Sequence, residues 1–138
     1  MISETQIRVR YAETDQMGFV YYGNYAAYYE VGRTEALRQL GTTYHTLEES
    51  GVMMPVAELK VQYIKPAMYD DLLTIRTIVS EIPNKNMVFV YEIYNEKGEL
   101  LNKGETTLVF ISSESRKRVR CPQWMQDLIS GASTEINK

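Results

Sequence analysis

One long segment with helical periodicity lies in a chain whose other segments alternate like strands, and this feature constrains the fold most strongly. Its apolar positions recur every three to four residues. The predicted inward face consists of Tyr25, Tyr28, Tyr29, Gly32, Ala36 and Leu40, with Leu37 at its edge. Asn24 is a suitable N-cap and Gly41 a suitable C′ residue, so the helix should span about seventeen residues, or roughly 25 Å. Gly32 inside the helix costs up to about 1 kcal/mol of stability relative to alanine. The close approach of a crossing sheet would explain why a glycine is tolerated there.

Most of the remaining chain is predicted to be strand, because apolar and polar residues alternate. A first strand precedes the helix, with Ile7, Val9 and Tyr11 on its apolar face. The later elements are a short helix over 43–50, strands over 57–63, 73–79, 86–94 and 100–112, an arm over 118–120 and a terminal helix over 122–129. A turn over 95–98 joins the strand over 86–94 to the strand over 100–112. The tail from Gly131 is predicted to fray.

A single long helix cannot cover both faces of a five-stranded sheet. The natural solution is an α+β fold in which the sheet wraps around the helix and another subunit covers what remains. At 138 residues the chain is long enough for one ordinary domain. We therefore expect a single domain over 1–138 with an ordered core of about residues 5–130, and an oligomer.

Composition excludes several classes of function. The net charge of −3 argues against nucleic-acid binding, which usually needs a basic face. Cys121 is the only cysteine and His45 the only histidine, so thiolate metal clusters and multi-histidine zinc sites are excluded, and a catalytic triad is possible only at His45. The amino terminus has no apolar leader segment, and no run is long enough to span a membrane. A cytoplasmic protein without a metal or other cofactor is expected.

Asp15 is the candidate for chemistry, because it lies about nine residues before the long helix. A helix amino terminus presents unpaired N–H groups that can polarise a carbonyl and hold an oxyanion. A nearby carboxylate can attack that carbonyl or take a proton from water. Together they suffice for thioester hydrolysis, since a thiolate leaves with little acid assistance. The alternative is that Asp15 is a turn residue in a loop closed by Gly18, which is the commoner role for such an aspartate.

The stretch from Tyr11 to Tyr25 resembles the signature of hotdog-fold acyl-CoA thioesterases. The nearest branch is the 4-hydroxybenzoyl-CoA thioesterase family, with its relatives associated with the Tol-Pal system. The matching elements are Asp15-x-x-Gly18, Phe19-Val20, Asn24-Tyr25, Glu30-x-x-Arg33-x-Glu35 and Tyr63-x-Lys65-Pro66-Ala67. The resemblance extends over roughly residues 5–122, and the first and third of these elements are fairly specific.

The resemblance implies a hotdog fold, a curved antiparallel sheet wrapped around one long central helix, with dimers formed edge to edge and usually paired into tetramers. Active sites would then lie between subunits and hydrolyse acyl-CoA. Asp15 would be the catalytic nucleophile or general base, and the backbone N–H of Tyr22 would polarise the thioester carbonyl. Tol-Pal-type relatives often carry histidine at position 22, so the expected mechanism here has no imidazole beside Asp15.

Further residues are candidates for substrate binding. Those around the helix start are Gly18, Tyr21, Asn24 and Tyr25, and those with charges for the phosphates of coenzyme A are Lys65, Lys85, Arg116 and Arg118. Core packing is the alternative for the tyrosines, and a solvated surface is the alternative for the basic residues. Glu30 and Glu35 are expected to pair with Arg33 and Arg38 on the outer side of the helix.

Two other functions remain open at this point. A hotdog protein could bind an acyl-CoA or an acyl chain on a carrier protein without cleaving it, although Asp15 is present. A thioesterase could also act on acyl carrier protein thioesters. The acidic surface would disfavour this binding, because carrier proteins are acidic as well. A panel of acyl-CoA substrates with detection of released thiol separates these functions.

Overall fold

Three helices and seven strands lie within residues 1–136, the part of the chain that the computed structural model describes. The helices are α1 (Tyr25–Leu40), α2 (Tyr44–Glu49) and α3 (Gln123–Ile136). The strands are β1 (Ile2–Arg8), β2 (Val52–Met53), β3 (Val56–Tyr63), β4 (Leu72–Ile78), β5 (Asn86–Tyr94), β6 (Leu100–Ser112) and β7 (Arg118–Val119). All pairs are antiparallel, in the order β1-β4-β5-β6-β3, and the short β2 and β7 pair with the far end of β6. The predicted α+β class is confirmed.

The sheet crosses α1 at close range, as Gly32 predicted. A Cβ atom at Gly32 would lie 2.6 Å from Thr77 Oγ1 and 2.9 Å from Ile75 Cγ2, both on β4. Gly104 on β6 has the same function two strands further along the sheet, because the ring of Tyr29 occupies the space that a side chain there would need. The predicted inward face of the helix is confirmed, with buried tyrosines packed against the sheet.

Several local predictions were wrong. The first strand begins at Ile2 and ends at Arg8, and Tyr11 lies instead in a 3-10 turn over Tyr11–Glu13, where it is 78% exposed. That turn forms because the Arg10 N–H donates to Glu13 Oε1 at 2.8 Å. Arg33 is buried rather than outward, since its Nε donates to the hydroxyl of Tyr44 on α2 at 3.0 Å.

The terminal helix is longer than predicted. α3 continues past Gly131 to Ile136, and the rest of the predicted tail, residues 137–138, lies outside the described residues. The cost of a glycine inside a helix is only about 1 kcal/mol, and the helix is anchored by Met125 and Ile129 in the core.

The β3 strand forms an open edge of the sheet. It pairs only with β6 among the described strands, and much of its length is exposed to solvent. Leu59 and Tyr63 are 44% and 53% exposed although their β6 partners, Thr106 and Asn102, are buried. No helix in the described chain is long and apolar enough to cross a membrane.

Candidate active site

Asp15 lies in a tight loop that holds one of its carboxylate oxygens. Asp15 Oδ1 accepts hydrogen bonds from the N–H groups of Met17 at 2.9 Å and Phe19 at 3.3 Å. The loop is closed by the Gly18 N–H donating to Asp15 O at 3.0 Å and the Asp15 N–H donating to Phe19 O at 2.8 Å. Gly18 has a φ of +79°, a left-handed conformation that favours glycine. Within residues 1–136 Asp15 Oδ2 accepts no hydrogen bond, so it is the oxygen available for chemistry.

Glu13 ties this loop to the start of α1. Its carbonyl oxygen accepts the Tyr21 N–H at 2.9 Å and Asn24 Nδ2 at 2.7 Å, and its carboxylate accepts the Tyr28 hydroxyl at 3.3 Å. Asn24 occupies the N-cap position, but its side chain makes no capping hydrogen bond, so the predicted capping was wrong. The side chain instead reaches back along the chain to the Glu13 carbonyl, and a 3-10 turn over Tyr22–Asn24 precedes the helix.

The start of the helix presents two unpaired amides. The Asn24 N–H donates to Tyr21 O at 2.9 Å, whereas the N–H groups of Tyr22 and Gly23 donate to no acceptor in the described part of the chain. Free N–H groups at a helix amino terminus carry a partial positive charge and can hold an oxyanion. The donors expected from the sequence are therefore available beside the candidate carboxylate.

A cavity of about 320 Å³ brings several predicted residues together. Asp15, Tyr22, Tyr25 and Lys65 line it, and Tyr63 and Phe19 complete an aromatic wall. A second cavity of about 630 Å³ also borders Asp15, and Gly18 lines it with the exposed pair Tyr11 and Tyr69. Asp15 therefore lies where an apolar cavity and a more polar one meet.

The other two candidates at the helix start lie beside the apolar cavity without lining it. The Tyr21 ring packs over Gly23, where a Cβ atom would lie 2.8 Å from it, and its centroid is 4.5 Å from that of Tyr22. Asn24 is engaged with Glu13. Burial raises the pKa of Tyr25, so its phenol stays protonated at neutral pH and can donate a hydrogen bond.

The predicted basic residues separate into three places. Lys65 Nζ contacts Glu99 Oε2 at 2.5 Å, and this hydrogen bond is the main reason that the pKa of Glu99 is lowered. Lys85 and Arg118 lie together with Arg120 around a cavity of about 200 Å³. Arg116 lies in the preceding turn with a φ of +61°, and its Nη1 is 4.0 Å from Met53 Sδ.

The group of Lys85, Arg118 and Arg120, hereafter the basic cluster, is far from Asp15 within one chain. Arg118 is the partner of Ile111, and Tyr63 of the apolar cavity is the partner of Asn102, on the same strand β6. These β6 residues are nine positions apart, which corresponds to about 30 Å along the strand.

Residues with other expected roles lie outside the site. His45 is a surface residue whose Nε2 is 2.9 Å from Glu49 Oε1. Burial raises the pKa of Cys121 to about 11, so it is a thiol and not a nucleophile at neutral pH. The expected pairs of Glu30 with Arg33 and of Glu35 with Arg38 both form. Within residues 1–136, no group of three or more His, Cys, Asp or Glu residues is placed to hold a metal ion.

Tyr63 is the residue of this site that the sequence analysis did not identify. Its hydroxyl donates to Tyr22 O at 2.9 Å, and its ring meets that of Tyr25 edge-on with centroids 5.4 Å apart. The available signal was its place in the matching element Tyr63-x-Lys65-Pro66-Ala67. Alternation placed it only on one face of a strand and gave no indication that this face meets the start of the helix.

Comparison with known proteins gives the family. The model of the thioesterase-like superfamily matches residues 9–129. YneP of Bacillus subtilis is 38% identical over 127 residues, which are 89% of this chain and 92% of that protein. The acyl-CoA thioester hydrolase YbgC of Escherichia coli is 34% identical over 117 residues, 85% of this chain and 87% of that protein.

Solved structures agree with the sequence comparison. The DHNA-CoA thioesterase from Staphylococcus aureus has a TM-score of 0.89 and 38% identity, covering 99% of this chain and 93% of that chain. The family match over residues 9–129 and the structural likeness over 99% of the chain both include the Asp15 loop and α1. This chain therefore belongs to the thioesterase-like superfamily and has the hotdog fold.

Proposed function

We propose that this chain hydrolyses an acyl-coenzyme A thioester to a free acid and coenzyme A, with Asp15 at the reaction centre. Its class, thioester hydrolase, follows from the family. The observation that carries the proposal is the free Oδ2 of Asp15 in the same cavity as Tyr22, whose N–H is unpaired in the described chain. Neither a histidine nor a metal is required, because the leaving thiolate needs little protonation.

In the reaction, the Tyr22 N–H polarises the thioester carbonyl and then stabilises the oxyanion. As general base, Asp15 Oδ2 takes a proton from water while the water oxygen bonds to the carbonyl carbon. The tetrahedral intermediate collapses, the C–S bond breaks, and the proton passes to the departing thiolate. As nucleophile, Oδ2 bonds to the carbonyl carbon, the thiolate leaves, and water hydrolyses the resulting anhydride. Both routes use the same oxygen and the same donor.

The cavity favours an aromatic acyl group. Three tyrosines and Phe19 line it, and aromatic rings pack edge-on or offset against one another with a gain beyond burial alone. Tyr25 and Tyr63 already meet edge-on at 5.4 Å, so a flat substituent could extend this arrangement. The similar Staphylococcus aureus enzyme is named for a DHNA-CoA substrate. An aliphatic chain is the second candidate.

For the nucleotide end of coenzyme A, we propose that the phosphates bind the basic cluster of a second copy. Pairing of the open β3 edge with its copy would place the partner's β6 and β7 across the interface. The partner's basic cluster would then lie three strands from β3, about 15 Å at the usual strand spacing. This arrangement would also cover the exposed Leu59. We further propose that two such dimers pair into a tetramer and that Arg116 contacts a phosphate. Lys65 would act at the cavity mouth.

The remaining candidates would act mainly by shaping the site. Gly18 permits the loop conformation that aims Asp15, and Asn24 fastens that loop to the helix. Tyr21 shields the Gly23 peptide from solvent. Tyr25 is the one expected to touch the acyl group directly.

A panel of aromatic and aliphatic acyl-CoA substrates, with spectrophotometric detection of the released thiol, tests the proposal. The parent protein should release thiol fastest from aromatic substrates, and Asp15→Ala should release none above background while keeping its oligomeric state. Equal rates for Asp15→Ala and the parent would contradict the function of Asp15. Binding of acyl-CoA without thiol release would favour the non-catalytic binding protein, and release only from acyl carrier protein thioesters would favour that substrate.

A further inference from the structure

The hydroxyl of Tyr63 is attached to the peptide that begins the active-site helix. Tyr63 ends β3, the open edge strand, and its Oη donates to Tyr22 O at 2.9 Å. Its ring is held edge-on against the buried Tyr25, with an interplanar angle of 80°. The Tyr63 side chain is therefore held by the packing of its ring and by the one hydrogen bond of its hydroxyl.

That hydrogen bond determines where a neighbouring N–H points. In a trans peptide the C=O and N–H groups point in opposite directions within one plane, and the described chain contains no cis peptide. Holding Tyr22 O therefore orients the Gly23 N–H. The preceding peptide is held in the same way, because Tyr21 O accepts the Asn24 N–H at 2.9 Å and so orients the Tyr22 N–H.

Two adjacent donors at the helix start are thus each fixed through the carbonyl of their own peptide. One carbonyl is held by the helix itself and the other by Tyr63, which comes from a different part of the chain. Both N–H groups are unpaired within residues 1–136. Donors that are oriented before the reaction stabilise developing charge without the cost of reorganisation.

We infer that Tyr63 is a positioning residue for catalysis, acting through the Tyr22–Gly23 peptide to orient the Gly23 N–H as a second oxyanion donor beside the Tyr22 N–H. The inference rests on the proposed function, since it concerns the same reaction. Tyr63 touches the acyl pocket with its ring, while its hydroxyl acts on the backbone.

Tyr63→Phe removes the hydroxyl and keeps the ring against Tyr25. We expect kcat to fall about five- to thirtyfold, less than the loss of a whole oxyanion donor, with KM changed less than twofold. Tyr94→Phe is the matched control, because Tyr94 is a partly exposed tyrosine that lies near Glu92 and outside the site. It should leave kcat and KM unchanged. Equal kcat in Tyr63→Phe and the parent, or a rise in KM alone, would overturn the inference.

A spectroscopic comparison separates positioning from a general structural effect. An Asp15→Asn protein should bind an aromatic acyl-CoA without cleaving it, and isotope-edited Raman spectra of the bound thioester should show its C=O stretch shifted to lower frequency. Adding Tyr63→Phe should reduce that shift while the substrate still binds. An unchanged shift in the double variant would overturn the inference. A parent protein that releases no thiol would instead contradict the proposed function itself.

Discussion

Two loops of this protein have nearly the same backbone geometry, and only one of them forms the candidate active site. In the β5–β6 turn, Asn95 Oδ1 accepts the N–H groups of Lys97 and Glu99, both at 3.0 Å. The Gly98 N–H donates to Asn95 O at 3.0 Å, and Gly98 has a φ of +78°. The Asp15 loop repeats each of these contacts, with Gly18 at +79°.

The surroundings and the second side-chain atom distinguish the two loops. Asn95 Nδ2 donates to Glu99 Oε1 at 3.1 Å, so both polar atoms of the Asn95 side chain make hydrogen bonds within the turn. Asp15 Oδ2 has no partner in residues 1–136 and borders the aromatic cavity. The comparison shows that the turn-forming and catalytic interpretations of Asp15 are compatible, because one oxygen builds the loop and the other remains for chemistry.

The largest effect is expected when Asp15 is replaced by asparagine, the residue at the corresponding position of the β5–β6 turn. Asp15→Asn should keep the loop, because Asn95 makes the same Oδ1 contacts, and should lower thiol release by about a thousandfold or more. The melting temperature should change little. Asn95→Asp is the control, which should lower the melting temperature by losing the bond to Glu99 but leave thiol release unchanged. Substantial turnover by Asp15→Asn would show that the free oxygen is not essential.

A smaller effect is expected from the glycines that close the loops. Alanine at Gly18 or at Gly98 must adopt a positive φ at a cost of about 1–2 kcal/mol, and neither new Cβ would clash. Each variant should therefore melt roughly 3–8 °C below the parent. Only Gly18→Ala should also lower kcat, by about tenfold, because it moves the N–H groups that aim Asp15. Similar kinetics for both variants would contradict a link between loop geometry and rate.

The smallest expected effect is a pH-dependent change in melting temperature caused by Glu99, which lies beside Asn95 on the surface. The pKa of Glu99 is lowered by hydrogen bonds from Lys65 and Asn95, so its carboxylate stabilises the fold above the ordinary value near 4.3. This contribution is lost as the pH falls through the lowered pKa of the folded state. Glu99→Gln should therefore lower the melting temperature by about a degree at pH 7 and by nothing at pH 2.5. A difference that is the same at both pH values would exclude an ionic cause.

The elements and much of the site could be predicted from the sequence. The inward face of α1, the close crossing at Gly32 and the D-x-x-G and N-x-x-G turns follow from residues within a few positions of one another. Asp15 and the Tyr22 amide were predicted as site residues through a resemblance to the family, and their function stays a prediction. The position of Tyr11, the burial of Arg33 and the function of the Asn24 side chain were predicted wrongly or not at all.

Tertiary structure decided which of the two similar turns faces a cavity. Local hydrogen bonds and a glycine with positive φ specify the turn itself, and they are the same at Asp15 and Asn95. The Asp15 loop lies at the helix start because Glu13 holds Asn24 and Tyr28, and Tyr63 arrives from a strand some forty residues further along. Such contacts depend on how the sheet packs around α1, so alternation and spacing along the chain do not encode them locally.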